Sequence, residues 1–206
     1  MTKPVDGIRT IMTMAPVIPV IVVEEIAHAV PLAQALVAGG LPCLEVTLRT
    51  ACAIDAIKAM SRVEGAFVGA GTVLNEAQLA AVQEAGARFI VSPGLTPSLG
   101  KAIIGSGIPF LPGVATATEI MLGLDMGLDH FKFFPAEASG GLPALKALAG
   151  PFTQASFCPT GGITASTAPG WLSHPQVPCV GGSWVAPAGL PDVARITAMA
   201  QHAASL

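Results

Sequence analysis

The chain has 206 residues and a net charge of −3 at neutral pH, with 52% hydrophobic and only 11% charged residues. This composition excludes an intrinsically disordered chain, and the slightly acidic balance gives no basic surface for a nucleic-acid partner. The longest apolar run, Met14–Val23, is far shorter than the roughly 20 residues that a membrane-spanning helix needs. We therefore predict a globular α/β protein with no membrane segment.

Two features of the chain predict a cytoplasmic location. The first residues, MTKPVDGIRTIM, lack the uninterrupted apolar core and cleavage site of a signal peptide. The four cysteines are widely spaced and form no Cys-x-x-Cys pair, which is typical of reduced thiols that serve packing. These cysteines are Cys43, Cys52, Cys158 and Cys179.

Eight short apolar runs recur along the chain at intervals of about 20 to 26 residues. The runs are 17–23, 43–49, 66–72, 89–93, 109–115, 130–136, 156–162 and 178–184. Most are nearly continuous in apolar character, as strands are when a parallel sheet is covered on both faces. We interpret them as eight buried parallel strands.

Helical patterns separate several of these strands. NEAQLAAVQEAG begins with an Asn that can cap a helix and ends in Gly, and TATEIMLGLDMG has the same plan. The segments after the fourth, sixth and seventh runs are weaker because Gly and Pro interrupt them. The alternation predicts a single-domain (β/α)8 TIM barrel over residues 1–206, with 1–16 as an amino-terminal extension or a helix that caps the barrel. The alternative is an open doubly wound sheet, although the first run lacks the glycine-rich turn of a dinucleotide-binding version.

Charged residues within the predicted strands are few, and they identify the candidate catalytic groups. Lys132 is the only lysine inside a run, Glu45 is the only carboxylate inside one, and Arg49 is the only arginine at a carboxyl end. Because alternate strand residues share a face, Glu45 and Arg49 point to the same side of their strand. The same alternation directs Lys132 inward and Phe131 and Phe133 toward the helices.

Two interpretations of these charges follow from the residues alone. Lys132 and Glu45 can form a buried structural ion pair. Alternatively, an amine that apolar surroundings keep neutral can attack a ketone and form a Schiff base, whose iminium accepts the electrons of a nearby carbon–carbon bond. That second chemistry needs a proton shuttle, and Glu45 is the only inward carboxylate available.

The ends of the seventh and eighth runs are rich in glycine, in the segments CPTGG and CVGGSW. Backbone N–H groups of such turns bind anions, and the loops after strands 7 and 8 are the usual phosphate site of barrel enzymes. The glycines of these two segments therefore predict a phosphate site, to which Ser183 can add a hydroxyl donor. The four histidines are scattered without the spacing of metal ligands, so we expect no metal.

Six motifs together resemble, in order from about Val17 to Val185, those of the class I 2-keto-3-deoxy-6-phosphogluconate (KDPG) and 4-hydroxy-2-oxoglutarate aldolase family. They are LEVTLRT, GAGTVL, IVSPGLT, FKFFPAE, CPTGGI and VGGSW. The resemblance implies a (β/α)8 lyase, usually a homotrimer, that needs no metal or other cofactor. Its partner would be a small phosphorylated keto acid, cleaved to pyruvate and glyceraldehyde 3-phosphate in the Entner–Doudoroff pathway. It leaves open 4-hydroxy-2-oxoglutarate, or the galactonate isomer of KDPG, as the substrate.

The resemblance also implies a role for each matching residue. Lys132 matches the Schiff-base lysine and Glu45 the general acid and base. Arg49 matches the residue that binds the substrate carboxylate, a task that suits a guanidinium fork. The residues that match the wall of the pyruvyl pocket are Thr72, Pro93 and Thr160. Those that match the phosphate-binding region are Gly161, Gly162, Gly182 and Ser183.

Two other function classes compete with the aldolase. A phosphate-binding isomerase or epimerase would act without covalent chemistry, but it needs two bases or a metal, and the chain offers one inward carboxylate. A non-catalytic sensor of a phosphorylated acid would bind its ligand and release no product. Release of pyruvate separates the aldolase from both.

Overall fold

The computed structural model describes residues 7–206, and within them every strand pairing is parallel. The strands are β1 (Val17–Ile21), β2 (Cys43–Thr47), β3 (Phe67–Gly71), β4 (Ile90–Val91), β5 (Phe110–Leu111), β6 (Gly113–Val114), β7 (His130–Phe133), β8 (Ser156–Pro159) and β9 (Val180–Gly182). One sheet has the order β5-β4-β3-β2-β1-β9, and a second has the order β6-β7-β8. The prediction of an α/β protein built on curled parallel sheet is confirmed.

The two sheets meet at two places. The run 109–115 forms two short strands, β5 and β6, because Pro112 has no N–H to donate to a ladder. The Pro112 carbonyl still accepts a hydrogen bond from the Lys132 N–H at 2.8 Å. At the other junction, Thr160 directly after β8 forms a parallel bridge with Gly181 in β9.

Nine helices within the described residues follow or precede these strands. They are α1 (Ile8–Met12), α2 (Ile26–Ala38), α3 (Ala53–Met60), α4 (Glu76–Glu84), α5 (Pro97–Ser106), α6 (Ala117–Asp125), α7 (Gly141–Ala149), α8 (Ala168–Leu172) and α9 (Val193–Ala204). Asn75 caps α4 as its sequence predicts, because its side chain accepts from the Gln78 N–H at 2.9 Å. Across 7–206, none of the helices has the length and apolar character to cross a membrane.

Buried side chains form two separate clusters, one on each face of the strands. The larger lies between strands and helices and contains Phe131, Phe133 and Trp171. The smaller lies on the opposite face of the strands. Its members are Ile11, Met12, Ile18, Cys43, Phe67, Phe89, Val91, Leu111, Cys158 and Cys179. Helix α1 contributes the first two, so this short helix is held by apolar packing that is worth about 1.5–3 kcal/mol for each fully buried large side chain.

Candidate active site

Lys132 in β7 and Glu45 in β2 lie 87 positions apart in the chain and meet on the inner face of the sheet. The Lys132 Nζ donates to Glu45 Oε1 at 2.9 Å and to Oε2 at 3.3 Å. Their side chains are only 5% and 3% exposed. A buried charge is costly unless it is paired, and here each group supplies the partner of the other. The contact also lets a proton pass between amine and carboxylate.

The neighbouring strands leave room for this pair. Lys132 stands in register with Gly113 on one side and with Cys158 on the other. On β3, a Cβ atom at Gly71 would come within 2.3 Å of Glu45 Oε1. Glycine at this position therefore gives the Glu45 carboxylate the space in which it reaches the lysine.

Aromatic residues around Lys132 divide between the two faces of β7, as the alternation predicted. The Phe134 ring centroid lies 5.4 Å from the Lys132 Nζ, within the range of a cation–π contact. Phe131 and Phe133 are fully buried on the helix side, where the Phe133 ring lies 6.3 Å from the ring of Trp171. The Lys132 side chain thus leaves a firmly packed strand and lies between the Phe134 ring and the Glu45 carboxylate.

Arg49 lies in the turn directly after β2 and is exposed. Within residues 7–206 its guanidinium makes no salt bridge and no side-chain hydrogen bond. Its turn is nevertheless anchored, because the Thr50 hydroxyl donates to the Val23 carbonyl at 2.6 Å. The Thr47 hydroxyl likewise donates to the Ile21 carbonyl at 2.9 Å. A fixed turn with an unengaged guanidinium is suited to receive an anion.

Three more predicted site residues follow the ends of strands. Thr72, after β3, has φ 63°, a left-handed conformation that is rare for a β-branched residue and costs about 1–3 kcal/mol. Pro93, after β4, has its carbonyl oxygen where a Cβ on Gly113 would come within 2.2 Å. Thr160 is buried and its hydroxyl donates to the Cys158 carbonyl at 3.3 Å. The positive φ of Thr72 and the close approach of Pro93 to Gly113 show that the surrounding structure fixes the backbone at these strand ends.

The glycine-rich ends of β8 and β9 lie side by side because the parallel bridge joins them. Gly161 and Gly162 have φ 104° and 80°, values that other residues rarely adopt. At Gly182 a Cβ would come within 2.0 Å of the Trp184 ring, so any larger residue would displace that ring. Ser183 follows and is exposed. These four residues therefore form one patch beside the strand ends.

The cysteines serve packing as predicted, but sequence reasoning did not place three of them, Cys43, Cys158 and Cys179, together in a buried layer next to the ion pair. Burial raises the pKa of the Cys43 thiol well above its usual range, and the nearby Cys158 and Glu45 add to the rise. A hydrogen bond with Cys158, followed by burial, raises the pKa of Cys179 in the same direction. Strand alternation indicates part of this layer, because Cys43 precedes Glu45 by two residues and therefore shares its face of the strand. Neutral thiols act here as small apolar side chains.

Lys132 and Glu45 meet on the inner face of the sheet, and Arg49 and the glycine patch lie at the carboxyl ends of parallel strands. The fold therefore brings the residues that were predicted to act as nucleophile, proton shuttle and anion sites to one region. Across 7–206, no group of three or more His, Cys, Asp and Glu side chains is placed to hold a metal ion.

Comparison with known proteins gives one consistent result. The family model of KDPG and KHG aldolases matches residues 8–199. The 2-dehydro-3-deoxy-phosphogluconate aldolase of Zymomonas mobilis is 62% identical over 96% of this chain and 95% of its own length. The crystal structure of the Zymomonas mobilis aldolase superposes with a TM-score of 0.96 at 61% identity, over 97% of each chain.

A further crystal structure bears on the chemistry. The KDPG aldolase of Legionella pneumophila, captured with pyruvate as a covalent carbinolamine intermediate, is 46% identical and superposes with a TM-score of 0.90. The match covers 95% of this chain and 97% of that one. Because both the family model and a close relative match nearly the whole sequence, the chain belongs to the KDPG and KHG aldolase family.

Proposed function

We propose that this chain is a class I aldolase that cleaves KDPG to pyruvate and glyceraldehyde 3-phosphate, in the Entner–Doudoroff pathway. The observation that carries the proposal is the buried pair of Lys132 and Glu45, with 2.9 Å between Nζ and Oε1. A structural ion pair alone would explain the burial. The carbinolamine of the Legionella relative, the adduct of an amine with a ketone carbon, favours the catalytic interpretation.

The first half of the reaction forms the Schiff base. Glu45 takes a proton from the Lys132 ammonium, and the neutral amine adds to the C2 carbonyl of the keto acid to give a carbinolamine. The protonated Glu45 returns its proton to the carbinolamine hydroxyl, which leaves as water. An iminium remains between Lys132 and C2.

The second half breaks the C3–C4 bond. Glu45 accepts the proton of the C4 hydroxyl, the C3–C4 electron pair moves toward the iminium, and glyceraldehyde 3-phosphate leaves as the aldehyde. The enamine that remains on Lys132 then takes the proton from Glu45 at C3. Water adds to the resulting iminium and releases pyruvate, which regenerates the amine.

Substrate binding is assigned to the residues at the strand ends. Arg49 binds the carboxylate beside C2, which its unengaged guanidinium supports. Thr72, Pro93 and Thr160 form the walls around the pyruvyl part. At the far end, the patch of Gly161, Gly162, Gly182 and Ser183 receives the phosphate through backbone N–H groups and a hydroxyl.

The proposal extends to the architecture. A closed eight-stranded barrel, forming one domain over 1–206, is supported by the bridge between Thr160 and Gly181 and by the succession of β5 and β6. Helix α1 would cap its amino-terminal end. A homotrimer is supported by exposed apolar side chains such as Leu74 and Met121. Four free cysteines fit the reducing cytoplasm.

Pyruvate release tests the function directly. A coupled assay with lactate dehydrogenase would follow KDPG, its galactonate isomer and 4-hydroxy-2-oxoglutarate, with Lys132→Met as the inactive control. We expect the highest kcat/KM with KDPG and no release by the control. If one of the other two acids has the higher kcat/KM, that acid is the substrate and the chain is still an aldolase of this family. Absence of pyruvate from all three, or full turnover by Lys132→Met, would refute the proposal.

A further inference from the structure

A hydrogen bond between Trp171 and Glu137 joins two segments next to the glycine patch. The Trp171 Nε1–H donates to Glu137 Oε1 at 3.1 Å. Glu137 lies in the loop after β7, five positions beyond Lys132, and Trp171 lies in α8, which follows the turn after β8. The bond therefore ties the loop that follows the reactive lysine to the helix that follows the phosphate turn.

The stem of Glu137 also lies against that turn. A Cβ atom at Gly162 would come within 2.8 Å of both Cβ and Cγ of Glu137. Two backbone hydrogen bonds run between the same segments, from the Glu137 N–H to the Gly161 carbonyl at 3.1 Å and from the Ala136 N–H to the Thr160 carbonyl at 2.8 Å. Side chain and backbone of Glu137 thus both define where the turn lies.

Helix α8 depends on such outside contacts. It has five residues and contains Pro169 and Gly170, so it has almost no intrinsic stability. Trp171 anchors it through a ring that is 2% exposed and packs against Phe133. The hydrogen bond to Glu137 is the polar part of this anchor.

The charge of Glu137 argues against direct contact with phosphate. Glu137 is exposed, and within residues 7–206 no Lys, Arg or His side chain pairs with it. A carboxylate repels a phosphate dianion, so its presence beside the turn calls for another role.

We propose that Glu137 is a positioning residue for the phosphate site. Its hydrogen bond to Trp171 and its packing against Gly162 hold the backbone N–H groups of the Gly161–Gly162 turn where the substrate phosphate binds. The inference rests on the proposed function, because it takes the phosphate of KDPG as the group that the turn receives.

Kinetics with and without a phosphate test this role. Glu137→Ala removes both the side-chain stem and the oxygen that accepts the Trp171 hydrogen bond. Glu137→Gln keeps the stem and an acceptor oxygen but has no charge. Trp171→Phe keeps an aromatic ring but has no N–H to donate. KDPG cleavage reports the complete site. Exchange of the pyruvate methyl protons with D₂O reports the Schiff-base end alone, because pyruvate carries no phosphate. Thermal unfolding shows that each variant is folded.

We expect Glu137→Ala to raise the KM for KDPG about tenfold, the factor that corresponds to ~1.4 kcal/mol, with kcat nearly unchanged. Its rate of pyruvate exchange should stay within about twofold of wild type, since the amine and its partner are untouched. Glu137→Gln should show a KM at or below that of wild type. Trp171→Phe should raise the KM in the same direction as Glu137→Ala.

Several results would overturn the inference. A wild-type KM in Glu137→Ala would do so, as would an equal loss in cleavage and exchange, which would mean a general structural role. If Glu137→Gln behaved like the alanine variant, the hydrogen bond would not be the cause. If Glu137→Ala does not fold, the KM values of Glu137→Gln and Trp171→Phe still test the inference, because only Trp171→Phe should raise the KM for KDPG. A wild-type enzyme that releases no pyruvate from KDPG would instead refute the proposed function itself.

Discussion

Replacement of Gly71 by alanine should disable the proposed site, although neither Lys132 nor Glu45 is itself substituted. The new Cβ would lie 2.3 Å from Glu45 Oε1, 2.7 Å from its Cγ and 2.9 Å from its Cδ. Real Cβ atoms essentially never approach closer than 3.0 Å, so the carboxylate must move by about 0.7 Å. The carboxylate ends a flexible side chain, so it can yield while the fold persists.

The cost can be estimated from two effects. A misplacement of about 1 Å at a reacting group can lower the rate about 10²-fold, and loss of a general acid or base lowers it about 10²–10⁴-fold. We therefore expect kcat for pyruvate release to fall by about 10²-fold or more. Formation of the covalent pyruvyl adduct on Lys132 should remain detectable, because the amine itself is intact.

The assay is coupled pyruvate release, with thermal unfolding as the check on folding. The matched control is Gly105→Ala, at an exposed position of α5 where a Cβ meets nothing within 4 Å. That variant should keep wild-type kcat and gain up to about 1 kcal/mol of stability from helix propensity. If Gly71→Ala folds and keeps kcat within about threefold of wild type, the position of Glu45 does not matter and its assigned role is wrong.

Three further predictions concern Glu45 and the cysteines. Glu45→Gln should lower kcat about 10²–10⁴-fold; a loss below about tenfold would make Glu45 structural. A thiol reagent should label the half-buried Cys52 of the native protein well before Cys43 and Cys179, whose raised pKa keeps them as unreactive thiols. Because that pKa is higher in the folded chain, stability against denaturant should hold below the pKa of the unfolded thiols. It should then fall as the pH rises through the folded value, and an alkaline increase would contradict this. Coupled pyruvate release measures the first effect, mass spectrometry the second and denaturant titrations at several pH values the third.

Local sequence patterns were sufficient for the features that depend on one strand at a time. A lysine inside an apolar run is rare because a buried charge is costly, and this rarity alone singled out Lys132 and Glu45. Strand alternation then correctly placed Phe131 and Phe133 on the helix side. These inferences needed only the two-residue alternation of side chains along a strand and the free-energy cost of burying an unpaired charge.

Features set by contacts between distant segments escaped such patterns. Helix α5 was obscured by Gly100 and Gly105, although Thr96 caps it and Pro97 occupies its first turn. Pro112 divides the fifth run into two strands, which the apolar pattern did not indicate.

Two side-chain contacts depend wholly on the assembled fold. The space at Gly71 for the Glu45 carboxylate exists only once β2 and β3 are paired in register. The contact between Glu137 and Trp171 joins positions 34 apart with no local signature. Neither contact has a sequence period or motif by which it could have been found.

The measurement that bears most directly on the central claim is reductive trapping. Incubation with pyruvate and borohydride should reduce the iminium to a stable pyruvyl adduct, and peptide mass spectrometry should locate it on Lys132. The Lys132→Met variant should take up none, although Lys3, Lys58, Lys101 and Lys146 remain. An adduct on one of those lysines, or no adduct on the wild-type protein, would contradict the Schiff-base mechanism.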